Sequence, residues 1–343
     1  MMHIETRVVE VIDDKEVTQI CLINDKGVEV KFLTLGATWQ EFLVPDENGT
    51  KKNLILGFDK PSDYWNNSLC ACQSIGRVAG RINGGKAIVG GQEIQLPQNE
   101  KGNCLHGGGQ GFNKQIWDYK IHQQPGAVSV TMTYLAKEEV DGFPGDMTVA
   151  VTITLKNDNR LSIVYSGYDA TKTTLFNPTN HVYFNLSHQQ NLNSHRLVLH
   201  SDTYLQTRDD LIPTGEKISL AGTAYDFNQS RNLGEAIEAT GGFDDAFLVE
   251  PSMISPILTL SDISGSSINM YSDRNAIVMY TMNSIDRGIY ISKDRGKEAE
   301  VYEGVALEAQ TLPDAINHDG FGDITLSPGE TKSYHIVFEY LKK

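Results

Sequence analysis

A two-residue alternation constrains this chain more than any other feature. Across 147–155, Met147, Val149, Val151, Ile153 and Leu155 alternate with Thr148, Ala150, Thr152 and Thr154. Successive side chains of a strand point to opposite faces, so such a run buries one face and wets the other. Asn157-Asp158-Asn159 is turn chemistry. Beyond it, Leu161, Ile163 and Tyr165 continue the pattern with Ser162 and Ser166 between them. The expectation is an antiparallel hairpin with one buried face.

Shorter runs of the same kind recur. Residues 17–23 and 28–33 flank the turn Asn24-Asp25-Lys26-Gly27, and Asp46-Glu47-Asn48-Gly49 marks another turn. Further strands are expected at 54–57, 257–260, 276–281, 305–309 and 333–341, and a short helix at 233–239. There is no fixed-period repeat, low-complexity tract or Ser- or Pro-rich linker. A chain of 343 residues can bury a large core. Many short strands without a βαβ rhythm predict an all-β fold, a sandwich of large antiparallel sheets with few short helices, as a single domain over 1–343.

Charge narrows the partners. There are 44 acidic and 29 basic residues, a net charge of −15, and no Lys/Arg run beyond pairs such as Lys51-Lys52. Such a chain repels phosphate backbones and anionic bilayers, so no nucleic-acid or membrane partner is expected. No apolar segment approaches a membrane span. Met1 to Arg7 offers no signal-peptide apolar run. Four cysteines do not make a disulfide framework, and the Cys70-x-Cys72 pair has no second pair nearby to complete a zinc site. The expectation is a cytoplasmic chain with reduced thiols, using no metal and no cofactor.

The stretch 177–186, Asn-Pro-Thr-Asn-His-Val-Tyr-Phe-Asn-Leu, is unusual for a strand. Val182, Phe184 and Leu186 share one face, while Thr179, His181, Tyr183 and Asn185 share the other, where each member can hydrogen-bond. An imidazole, a phenol and an amide on one face suit a polar pocket against a packed core. Taken alone, a core histidine satisfied by a neighbour explains His181 equally well.

Four other stretches could carry chemistry. In Gly76-Arg77-Val78-Ala79-Gly80-Arg81-Ile82, strand alternation puts Arg77 and Arg81 on one side, which by itself describes a surface strand with two solvated arginines. Its glycines mark a place where a ligand or another strand comes close. Leu105-His106-Gly107-Gly108-Gly109 could be an esterase oxyanion loop, but no G-x-S-x-G elbow accompanies it. What remains is a turn that places His106 beside a ligand. Gly242-Phe243-Asp244-Asp245 could bind sugar hydroxyls or a cation, or simply form a polar turn. In Ala306-Leu307-Glu308-Ala309-Gln310, Glu308 and Gln310 share one face of a strand. Apolar neighbours would desolvate Glu308 and raise its pKa toward that of a general base.

Together these stretches resemble the aldose 1-epimerase, or galactose mutarotase, family. His106 in L-H-G-G, His181 in N-H-x-Y-F-N-L, Glu308 in L-E-x-Q-x-x-P-D-A, G-R-V-A-G-R-I, Gly142-Phe143-Pro144-Gly145 and Leu326-Ser327-Pro328-Gly329-Glu330 occur in order along nearly the whole chain. The resemblance implies a β-sandwich with the sugar in a cleft on one sheet. It implies Glu308 as general base, His181 as general acid and His106 as an assistant at the ring oxygen. Arg81 and Asp244 would hold sugar hydroxyls, with Asn180, Tyr183 and Gln310 as further substrate-binding candidates. The chain departs from the family pattern at Asp245, where His is usual, and at Gly80, where Asn is frequent.

The implied reaction interconverts the α and β anomers of a free hexose such as galactose or glucose. It needs a base for the anomeric hydroxyl and an acid for the ring oxygen, and Glu with His supplies both. Alternatives are a disaccharide such as maltose as substrate, a hexose 6-phosphate, or a sugar-binding module without catalysis. A glycoside hydrolase would pair two carboxylates, such as Glu308 and Asp244.

Overall fold

The computed structural model describes residues 1–46, 49–292 and 297–342. Nine strands form the largest sheet, in the order Asp118–Gln124, Ala127–Ala136, Met147–Lys156, Arg160–Tyr168, Lys332–Lys342, Ser266–Ser272, Leu258–Asp262, His195–Leu199 and Arg231–Asn232. The expected hairpin is its centre, with Ile153 opposite Ile163 and Leu155 opposite Leu161. The alternation decides burial there: Val149, Val151, Ile153, Leu155, Leu161, Ile163 and Tyr165 are all buried. Burying a large aliphatic side chain stabilises by about 1.5–3 kcal/mol, so this face alone commits the hairpin to the core.

A five-stranded sheet precedes it, in the order His3–Ile12, Lys15–Ile23, Glu29–Leu33, Thr38–Pro45 and Lys51–Asn53. The turn after Ile23 closes as expected, with Gly27 N–H donating to Asn24 O at 3.1 Å. The turn expected over 46–49 includes positions 47 and 48, which lie outside the described residues. The strand expected at 54–57 is only a bridge between Ile55 and Phe184. Leu54 N–H donates to Phe42 O, whereas Leu56 N–H donates to Tyr183 O. The segment changes partners between two sheets and so cannot extend along either.

Six strands form the sheet that positions the site: Tyr183–Phe184, Val305–Gln310, Ala276–Tyr280, Asp244–Leu248, Thr203–Thr207 and Pro213–Ser219. Its inner face presents Phe247, Ile277, Met279, Leu307 and Ala309 to the core shared with the nine-stranded sheet. Its outer face carries the cross-strand row Ala246, Val278 and Glu308, with Tyr280 beside Asp244 and Gln310 beside Ala276. The expected helix runs Leu233–Thr240, capped by the Asn232 side chain on Glu235 N–H and stopped by Gly241 at φ 79°.

The stretch 177–186 is not one strand. Thr179–Asn180 pairs with Ser74–Ile75, and Tyr183–Phe184 pairs with Val305–Gln310. Between them His181 bonds through its backbone to Gln73 O and Cys72 N, both at 2.9 Å. The two-face pattern fails because the segment is buried on both sides; Thr179, His181, Tyr183 and Asn185 are as enclosed as Val182 and Phe184. The Asn185 amide does not reach a pocket: it donates to the carbonyls of Gln189 and Glu303.

Candidate active site

His181 and Glu308 meet across the outer face of the six-stranded sheet. Glu308 projects from Val305–Gln310 and His181 precedes the adjoining strand Tyr183–Phe184, which places Nε2 of His181 3.4 Å from Oε1 of Glu308. Both are almost fully buried. Burial pushes the Glu308 carboxyl well above the usual carboxylate range; Asp244 adds to this and Arg81 opposes it. Burial also pushes the His181 imidazole down to about 4. Both shifts favour the same charge-free state, a protonated carboxyl beside a neutral imidazole, so the pair holds one proton across a short gap.

Oε2 of Glu308 and both amide atoms of Gln310 have no hydrogen-bond partner among the described residues. A buried polar group left unmade costs about 1–3 kcal/mol. Three such atoms on one strand face form the floor of a cleft of about 740 Å³. Polar atoms held in this way are ready to meet a hydroxylated ligand.

His106 stands over this floor. Its ring lies perpendicular to that of His181, with centroids 5.3 Å apart. Gly80 N–H donates to its Nδ1 at 3.2 Å, so the neutral ring carries its proton on Nε2. Burial, then the fields of His181 and Arg81, hold its pKa well below the usual imidazole value, which keeps the ring neutral. The L-H-G-G glycine is sterically required: Gly107 has φ 82°, and a Cβ there would sit 2.0 Å from Gly76 O. The loop therefore presses His106 onto the segment that carries Arg81.

Arg77 and Arg81, expected on one face, part company. Arg77 is fully buried, with Nε donating to Asp141 Oδ2 at 2.7 Å and Nη1 to Gly145 O and Thr174 Oγ1. The ring of Phe143 lies 5.7 Å from its guanidinium, so Gly142-Phe143-Pro144-Gly145 is the socket of a structural arginine. The reading of two solvated arginines on one surface face is corrected. Only Arg81–Ile82 is a strand there, and Arg81 alone lines the cleft.

Arg81, Asp244, His106, His181, Tyr183, Glu308 and Gln310 line one cleft. Asn180 does not. Its amide donates to Cys72 O at 3.3 Å, because position 180 is paired into the short strand with Ser74–Ile75 and is buried behind the site. The structure thus does not bring Asn180, an expected substrate contact, to the cleft lining. Asp245 also borders the cleft; its carboxylate accepts Asp244 N–H at 3.1 Å, and burial pushes it up to about 7.

The sequence reading missed Glu100, Cys70, Tyr280 and Asn283, which also border the cleft. Tyr280 could have been found, since alternation from Val278 places it on the Glu308 face once the register is known. Glu100 carried no local signal. It enters through a loop and grips Arg81 with a two-bond fork, Nε to Oε2 at 3.1 Å and Nη2 to Oε1 at 3.3 Å.

The family model for aldose 1-epimerase matches residues 18–339, and the chain belongs to that family. An aldose 1-epimerase of Streptococcus thermophilus is 47% identical across 99% of each chain. A maltose epimerase of Levilactobacillus brevis is 38% identical over the full length of both. The crystal structure of a galactose 1-epimerase from Lactobacillus acidophilus, 28% identical, superposes with a TM-score of 0.88 over 100% of this chain and 99% of the other. Sequence and fold thus agree on an isomerase of carbohydrates built on a mutarotase β-sandwich.

Proposed function

We propose that this chain interconverts the α and β anomers of a free hexose through the His181–Glu308 pair. The observation that carries the reading is that pair itself: an imidazole and a carboxyl 3.4 Å apart on the floor of an open cleft, with Glu308 Oε2 unpartnered among the described residues.

The step balances with no other reactant. Moving the shared proton from the carboxyl to the imidazole makes Glu308 the base and His181 the acid. Glu308 then takes the proton of the anomeric hydroxyl, whose O–H electrons form the carbonyl as the bond from C1 to the ring oxygen breaks. The ring oxygen takes the proton of His181. Rotation about C1–C2 presents the other carbonyl face, and the ring recloses with the roles reversed. His106, with its proton on Nε2, is a neutral donor for the ring oxygen. Arg81, Asp244 and Gln310 supply donors and acceptors for the remaining hydroxyls.

A second reading, with a disaccharide as substrate, is favoured by the cleft volume of about 740 Å³ and by the name of the Levilactobacillus brevis relative. Polarimetry of freshly dissolved α-D-galactose, α-D-glucose and maltose tests both readings. Acceleration of the hexoses supports the first, acceleration of maltose alone favours the second, and acceleration of neither overturns both.

A further inference from the structure

Arg81 has several carboxyl groups to choose between. It lies within Coulombic reach of Glu308 and Asp244 as well as Glu100. A guanidinium has five N–H donors in a rigid fork and settles on the carboxylate with the best geometry and the smallest desolvation cost. Glu308 is sealed, with 2% of its side chain exposed, whereas 22% of Glu100 reaches solvent. Pairing with Glu100 therefore carries the smaller desolvation cost, and the observed fork is with Glu100. That fork uses Nε–H and one Nη2–H, and the other three donors have no partner among the described residues.

We propose that Glu100 is a positioning residue of the site: by holding Nε and Nη2 of Arg81 it keeps the guanidinium off Glu308 and turns the remaining donors toward the sugar hydroxyls. This rests on the acid–base reading above. Without Glu100, Arg81 swings inward and pairs with the general base, which weakens the base and removes a sugar contact together. The Glu100 side chain has no other role in its turn, which is closed by backbone bonds between Glu100 and Asn103 at 2.7 and 3.2 Å.

The inward swing also has a sign in pH. Glu308 is faced by His181 and Tyr183 from its neighbouring segment, by Asp244 from the next strands, by Arg81, and by Cys70. His106 faces His181 and Arg81 in turn. Of these, Arg81 is the cation free to move closer, and its approach lowers the Glu308 pKa. The alkaline limb of the rate profile, where the pair loses its one proton, then shifts to lower pH.

The test is a double-mutant cycle on the whole chain: wild type, Glu100→Gln, Arg81→Ala and the double variant, with kcat and KM measured across pH and thermal midpoints recorded for each. Glu100→Gln is expected to lower kcat/KM by about tenfold, in the range of directly coupled neighbours. It should also move the alkaline limb downward. In the Arg81→Ala background the same change should cost less than about twofold and move no limb. Should Glu100→Gln fold poorly, Glu100→Asp, which keeps the charge but is too short for the fork, serves the same cycle. An equal loss in both backgrounds, or no loss in either, overturns the proposal while leaving the function reading intact. A wild-type chain without anomer interconversion overturns both.

Discussion

The two faces of Val305–Gln310 are equally hidden from solvent and do opposite work. Leu307 is 1% exposed and Glu308 2%. Accessibility does not separate them; their surroundings do. Leu307 and Ala309 pack into the carbon core between sheets, while Glu308 and Gln310 hold polar atoms without partners at a cleft floor. The same contrast divides the two arginines of G-R-V-A-G-R-I. Arg77 has a sealed carboxylate and several further acceptors, whereas Arg81 has a carboxylate at the cleft and donors to spare. Buried charge gripped by a sealed carboxylate and backbone carbonyls maintains the fold, and buried polarity left open at a cleft floor is placed to meet a ligand.

This contrast can be broken most sharply at Glu308. Glu308→Gln keeps the shape but cannot accept a proton, so kcat should fall by about 10²–10⁴ while the thermal midpoint holds. Polarimetry beside calorimetry checks both halves. A variant within about threefold of wild-type kcat would mean that the base lies elsewhere.

Arg77→Met should do the reverse. It strands Asp141 as a buried unpaired carboxyl, so unfolding free energy should drop by about 3–5 kcal/mol in urea titrations. The turnover of the folded fraction should match wild type; a selective loss of kcat at unchanged stability would erase the distinction between the two arginines.

Leu307→Ala probes the inner face of the catalytic strand itself. A cavity there should cost about 2–5 kcal/mol of stability, with KM for the sugar little changed. A large KM change would show that the two faces are not independent.

The smallest effect expected is a flat response to pH. Burial lowers His181 to about 4 and raises Glu308, so the one-proton state of the pair is widened on both sides. The rate should hold steady through neutrality. It should fall on the acid side as the pair takes a second proton near pH 4, and on the alkaline side as it loses its only one. A steep change at neutral pH in wild type would point to another titrating group.

Alternation determined the most from sequence alone. The run 147–155 and its return strand specify a hairpin with one buried face, because a period of two leaves each side chain only one choice of face. The same logic put Glu308 with Gln310 and apart from Leu307. It failed at 177–186 and at 76–82, where the chain changes partners every two or three residues and no single face exists to be read. Only tertiary structure could decide that Arg77 is sealed while Arg81 opens on the cleft, that Asn180 lies behind the site, and that Glu100 reaches Arg81. Those outcomes depend on which distant segments supply the opposing carboxylates and carbonyls: Asp141 for one arginine, Glu100 for the other, and Cys72 for the amide. The spacing of residues along one strand carries no record of what a remote loop brings against it, and that opposing surface is what settled the chemistry here.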